Sequence, residues 1–232
     1  MRKINKTCHL STKYKTWEEG LEANGTAHPV YNSSNGEYYW DIAMNLFNCQ
    51  SGLCAYTEMR ICAPRYFAAN NWNDERVYVN PDAPANPQIA GQLEHFDRSL
   101  KTKDANNKAW LWSNLFMAET NVNTKVKLIN EVDNILKPDE AGYDEFELLE
   151  YNSSLNLFIA NTDLSIAKQL RVNKMIKTLG LNFDPIKEQR RIFLESKIKL
   201  IDFNVEGWET IVIEQFITAF EMIKRERNPV IV

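Results

Sequence analysis

Three histidines occur in the 232-residue sequence, His9, His28 and His95, so chemistry that needs an imidazole has few places to sit. His95 stands in Leu93-Glu94-His95-Phe96, with a carboxylate as its neighbour. On a regular strand the two side chains face opposite sides, but a distorted strand end can aim both at one ion. Asn114 opens Asn114-Leu115-Phe116, and Asn123 follows at the start of a helical pattern that runs on through Lys125 and Lys127. The Glu94 carboxylate and the Asn123 amide offer oxygen ligands suited to Mg²⁺ or Mn²⁺, hard ions that keep several waters and bridge to phosphate oxygens. An imidazole beside such an ion can take a proton from an attacking water. A lone histidine is more often a satisfied core or surface residue. The weight shifts with the order of the set: a base on a strand, an asparagine in the connecting loop, and a last ligand from a helix.

Lys125 and Lys127 fall on the first turn after Asn123, where helix N–H groups and positive side chains can meet phosphate. A solvated helix face accounts for them equally well. Asn121 is a stand-in for the last ligand if the register is shifted.

The elements that must position these residues follow from periodicity. Residues 1 to 36, with the turn signals Asn24-Gly25, His28-Pro29 and Asn35-Gly36, read as an arm with little regular structure. Apolar residues from Glu37 to Asn48 recur at helical spacing and Gly52 follows. Leu53 to Ile61 suits a short strand or hairpin arm, Asn70 to Gln88 a long loop, and Ile89 to Phe96 a short strand. Asn123 to Leu136 is predicted helical, stopping before Pro138. Phe146 to Tyr151 and Leu155 to Ala160 read as a hairpin, followed by helices over about Asp163 to Leu179, Pro185 to Phe203 and Trp208 to Arg227, the last ending before Pro229. Their short loops predict an antiparallel helical layer.

With 44% hydrophobic residues the chain can bury one substantial core, carrying at most a helical extension. No apolar run follows the basic start MRKINKTCHLSTKYK, so neither a signal peptide nor a membrane span is expected, and the cytoplasm is the expected location. Cys8, Cys49, Cys54 and Cys62 form no CxxC pair, which argues against a disulfide framework and against a four-cysteine zinc site. A metal held by Cys49, Cys54 and Cys62 in another geometry is a lesser alternative. The net charge of -4 gives no long-range attraction to a polyanion, so action on nucleic acid requires a local basic face or a partner. Between Lys168 and Lys199 nine basic residues stand against Asp184, Glu188 and Glu195. Such a run can track a nucleic-acid backbone, although solvated helix faces explain most of them. Trp110 and Trp112 alternate as a half-buried strand does, a better fit than a base-stacking platform.

The segment Gln50-Ser51-Gly52-Leu53-Cys54-Ala55-Tyr56-Thr57-Glu58, then Leu93-Glu94-His95-Phe96, then Asn114-Leu115-Phe116 with Asn123, resembles HNH endonucleases. More narrowly it resembles the PtuB family, the HNH nuclease subunits of Septu and retron-linked anti-phage systems. Leu179-Gly180-Leu181-Asn182, with Arg190 and Arg191 downstream, is similar to the region after the nuclease motif there, so the likeness spans about residues 37 to 195. It implies an α+β fold: a small ββα-metal core with a hairpin and mainly helical N- and C-terminal extensions. The implied organisation is an arm over 1–36, a nuclease core over 37–137, and a hairpin with helices over 138–232.

The resemblance implies a metal-dependent endonuclease acting on DNA or RNA, tRNA included. His95 is its general base, Asn114 holds the His95 region, and Glu94 and Asn123 hold Mg²⁺ or Mn²⁺. The implied partner is an SMC-like or ABC-type ATPase of the PtuA kind, joined in retron-linked forms by a reverse transcriptase and its RNA–DNA hybrid. Members of the group commonly carry a zinc knuckle of two CxxC pairs. Here Thr57 replaces the partner of Cys54, and Glu119 and Val122 stand where the second pair would lie, so no structural zinc is expected. Loss of the knuckle leaves open a catalytically silent adaptor with the same fold. A helical regulatory protein would instead require Glu94-His95, Asn114 and Asn123 to lie far apart.

Overall fold

Ile42, Ala43, Leu46 and Phe47 form one buried stripe of helix α2 (Tyr39–Gln50), which packs on the second strand of a small sheet. The computed structural model describes residues 1–6, 11–31, 38–80, 90–203 and 205–227, with elements of both helix and antiparallel sheet. Cys8, His9, the Asn35-Gly36 turn, the end of the long loop through Gln88, Ile89 and Pro229 lie outside the described residues. No helix among the described residues is long and apolar enough to cross a membrane.

The helix α2 stops at two left-handed residues, Ser51 (φ 57°) and Gly52 (φ 73°), with Gly52 N–H donating to Phe47 O at 2.7 Å. Only glycine fits there. Its φ is positive, and a Cβ would lie 2.3 Å from the Cys62 carbonyl oxygen. The expected strand or hairpin arm over 53–61 is a tight loop closed by a single bridge between Leu53 and Arg60.

The strands β1 (Gly91–His95) and β2 (Leu115–Glu119) pair antiparallel, with Gly91 opposite Glu119 and His95 opposite Leu115. All five β2 residues are buried, so the strand reads as an apolar run rather than an alternation. Its outer edge is closed by a side chain. Gln50 Nε2 donates to the Leu53 and Met117 carbonyls at 2.7 and 2.8 Å, and Gln50 Oε1 accepts from Met117 N–H at 2.9 Å.

Two expectations for the flanks of this hairpin differ from the structure. The N-terminal arm contains helix α1 (Thr12–Ala23), capped by Ser11, whose hydroxyl accepts from Tyr14 N–H at 3.2 Å. Tyr14 anchors it in the core, with Trp17 packed alongside. The long helix over 123–136 does not form. A π-helical turn, Val122–Lys127, ends at Leu128 with φ 47°, and only a 3₁₀ turn, Asn134–Leu136, follows. Ile129, on the expected apolar stripe, is 77% exposed, so the repeat had no common face to bury.

The second hairpin is β3 (Leu149–Asn152) with β4 (Leu157–Ala160). It starts later than expected because Asp144 accepts from Phe146 and Glu147 N–H at 2.8 and 3.3 Å, winding helix α3 (Glu145–Leu148). Helix α4 (Ile166–Thr178) packs on β4, and α6 (Ile217–Arg227) packs on β3 and on α5 (Asp184–Asp202). The helices therefore surround a hairpin instead of forming a layer of their own. Glu58 ties α6 to the loop after α2: its carboxylate accepts from Thr218 N–H at 2.8 Å and from the Thr218 hydroxyl.

Candidate functional site

The strand β1 ends at His95, and the residues just beyond it are held by Asn114. The Asn114 Oδ1 accepts from Asp97 N–H at 2.7 Å and its Nδ2 donates to the Asp97 carbonyl at 2.9 Å. The backbone adds Phe96 N–H to the Asn114 carbonyl at 2.8 Å. Asn114 is itself buried, so this small amide fixes where the strand end points.

At that end Glu94 and His95 both border one cavity of about 420 Å³, with Asn123, Arg98, Lys101 and Tyr31 on its walls. Three of the four expected site residues thus meet at one space, and Asn114 stands behind them. Asn123 comes from the π-helical turn, close to Gly180, where a Cβ would meet Val122 at 3.2 Å. Gly180 therefore permits α4 to seat against that turn.

His95 is oriented by its ring Nε2, 2.8 Å from the Ala109 carbonyl. A carbonyl only accepts, so Nε2 carries the hydrogen and Nδ1 keeps a lone pair. Burial, helped by the nearby positive charge of Lys101, lowers the imidazole to about 4. It is neutral at pH 7 with Nδ1 unprotonated, and the same burial makes it a weak base. The Tyr31 ring stands edge-on to it with centroids 4.8 Å apart.

Burial raises the Glu94 carboxyl above its ordinary range, the Lys127 ammonium pulling the other way. Lys127 Nζ lies 2.5 Å from Glu94 Oε1 and donates to the His95 carbonyl at 2.9 Å. Lys127 is 1% exposed, so its ammonium is not set on a solvated turn to meet phosphate, as the sequence led us to expect. Lys125 is exposed and fits that role.

The cationic wall is formed by two residues that sequence reasoning passed over. Arg98 is exposed and donates to the Leu128 carbonyl at 3.3 Å; Lys101 Nζ lies 3.9 Å over the Tyr31 ring. Their signal was present in the polar stretch after His95, but nothing in its spacing separated them from loop charges. With Glu94 already paired to Lys127, Arg98 and Lys101 give the cavity a positively charged wall.

Among the described residues no group of three His, Cys, Asp or Glu is placed to hold a metal ion. Glu94 and Asn123 both line the cavity, and a carboxylate and an amide oxygen are donor types that Mg²⁺ or Mn²⁺ take, the shell being completed by water and phosphate. The segments that carry a zinc knuckle in the resembling proteins do meet here. Cys54 Sγ accepts from Glu119 N–H at 3.3 Å, and the Glu119 carboxylate accepts from Asn121 Nδ2 at 2.9 Å and Val122 N–H at 2.8 Å. Glu119 thus caps the π-helical turn, and Asn121 is engaged by it.

Of the nine basic residues between Lys168 and Lys199, four make ion pairs within the fold. Arg171 pairs with Asp133 at 2.7 Å, Arg191 with Glu188 at 2.7 Å, Lys174 with Glu131 and Lys187 with Asp184 at 3.7 Å. Arg190 is wholly buried. Trp110 and Trp112 donate their indole N–H groups to the Pro29 and Lys6 carbonyls at 3.1 and 3.2 Å. Both lie outside regular strand, Trp112 in a 3₁₀ turn. No protein-family model matches the chain, and no curated protein matches it.

Proposed function

We propose that this chain is a metal-dependent endonuclease of the HNH type, with β1, β2 and the following turn as its ββα-metal core. The observation that carries the reading is the convergence of Glu94, His95 and Asn123 on one cavity, with His95 held through Nε2 by the Ala109 carbonyl. His95 Nδ1 takes the proton of a water attacking phosphorus in line. Arg98 and Lys101 steady the phosphate, and Asn114 keeps the strand end in place. When bound by Glu94 and Asn123, Mg²⁺ or Mn²⁺ supplies neutralisation of charge on the phosphoryl and departing 3′ oxygens.

The net charge of -4 supports an effector aimed by a partner. The resemblance makes that partner an SMC-like or ABC-type ATPase in anti-phage defence, in the cytoplasm. One observation favours a second reading, a silent adaptor: the Glu94 carboxylate is already engaged by Lys127.

The test is cleavage of duplex DNA, single-stranded DNA and tRNA with Mg²⁺ or Mn²⁺, by the chain alone and co-expressed with an ATPase encoded beside it. Wild type is expected to cut, and His95→Ala to be slower by roughly 10²- to 10⁴-fold. Equal cutting by the two removes His95 from the chemistry, and no cutting by an intact complex moves the reading to the adaptor.

A further inference from the structure

We infer that Lys127 is the resident cation of this site: its ammonium neutralises Glu94 until a divalent ion takes the carboxylate, and it thereby sets how tightly that ion is held. The inference rests on the endonuclease reading above.

Three observations carry it. Lys127 Nζ lies 2.5 Å from Glu94 Oε1, and the two side chains are 1% and 7% exposed. A buried carboxylate without a counter-charge is costly, so the pair is the stable arrangement when no other cation is present. The backbone around the lysine is unusual as well. The turn Val122–Lys127 is π-helical, closed by Leu128 N–H on the Asn123 carbonyl at 3.2 Å. This turn carries both Asn123, which lines the cavity with Glu94, and Lys127, which pairs with Glu94, and it ends at Leu128 in a backbone region (φ 47°, ψ -122°) that side chains rarely adopt. Finally, the ammonium has a second anchor, the His95 carbonyl at 2.9 Å. It can release Glu94 and remain bonded.

A divalent ion on Glu94 and the ammonium cannot share the same carboxylate oxygen, because like charges so close repel strongly in a poorly solvated site. Ion binding at Oε1 therefore displaces the ammonium, and at Oε2 the repulsion across one carboxylate loosens the Lys127–Glu94 contact. The displaced ammonium stays on the His95 carbonyl, and the ion alone is held weakly.

The experiment is calorimetric titration of Mn²⁺, without nucleic acid, into wild type, Lys127→Met, Lys127→Gln and Glu94→Gln, with circular dichroism to confirm folding. The glutamine variant keeps an N–H for the His95 carbonyl. Removing the ammonium is expected to tighten Mn²⁺ binding about tenfold or more, and Glu94→Gln to abolish it. Unchanged or weaker binding in the folded lysine variants, with Glu94→Gln still silent, overturns the inference and leaves the endonuclease reading standing. Absence of Mn²⁺ binding in wild type and lysine variants alike overturns both. Should neither lysine variant fold, the lysine ¹⁵Nζ resonances of wild type decide: the Lys127 signal must move as Mg²⁺ saturates the site, and a stationary signal refutes the displacement.

Discussion

Replacing Asn114 by alanine removes a side chain that serves both backbone groups of one residue, Asp97, at 2.7 and 2.9 Å. Each such bond contributes about 0.5–1.5 kcal/mol net, and a donor or acceptor left buried without a partner costs about 1–3 kcal/mol. Asp97 is only half-buried, so water recovers part of the loss, and we expect Asn114→Ala to destabilise the fold by about 2 kcal/mol. Asn114→Asp sharpens the test. It keeps an acceptor for Asp97 N–H but sets a carboxylate against the Asp97 carbonyl, where the amide had donated. At pH 7 it should cost at least as much as alanine. As pH falls through the carboxylate range, the protonated acid can donate again and the deficit should shrink. Urea unfolding followed by tryptophan fluorescence reads both effects as a shift in midpoint at constant slope. A loss under about 0.5 kcal/mol for Asn114→Ala, or wild-type stability for Asn114→Asp at pH 7, would refute the claim that this amide holds the strand end.

His95 should leave a mark on the pH dependence of stability. Its folded-state value of about 4 lies below the 6.5 of an unhindered imidazole, so between those values the unfolded chain binds a proton that the fold refuses. Stability then falls as pH falls, by about 3 kcal/mol across the window at most. Glu94 pulls the other way in the same range, and comparison with His95→Gln, which retains Glu94, isolates the histidine; equal acid slopes in the two proteins would sink the assignment. Arg190 donates to the carbonyls of Leu181 and Asn156 at 2.8 and 3.0 Å and to Asn156 Oδ1 at 3.2 Å, under the rings of Phe158 and Tyr151. Lysine cannot reproduce that fork, so Arg190→Lys should cost about 3 kcal/mol in chemical unfolding, and a change under about 1 kcal/mol would show that the charge alone suffices.

What the sequence made legible was local. The stripe Ile42, Ala43, Leu46 and Phe47 announced α2, and the run Ile89 to Phe96 announced β1, because each pattern is satisfied by its own element's period, whereas β2 was not expected as a strand. Of the ordered set, Glu94, His95 and Asn123 border one cavity, with Asn114 behind them on Asp97. The failures came where an element's state depends on a distant partner. Tyr14 and Trp17 lie at helical spacing in a polar segment, and only the core they dock against makes α1 worth forming. Val126, Ile129 and Val132 had the right spacing for a helix but no common surface to cover.

The two lysines of the π-helical turn show most sharply where such reading stops. Lys125 and Lys127 are two residues apart and chemically identical, and on any helix they point to nearly opposite faces, with nothing in the sequence to say which face meets the site. In the fold Lys125 is exposed, while Lys127 is buried against Glu94 and the His95 carbonyl. The difference follows from which face of this π-helical turn, Val122–Lys127, meets Glu94, and no periodicity forecasts that. It also inverts the function to be assigned. A solvated lysine adds to the attraction for nucleic acid, whereas a buried one paired with the candidate metal ligand opposes the ion that such a nuclease needs. Charge counted along the chain is therefore a poor guide to phosphate binding here: four of the nine basic residues from Lys168 to Lys199 are taken up in ion pairs, and the positive wall of the cavity comes from Arg98 and Lys101.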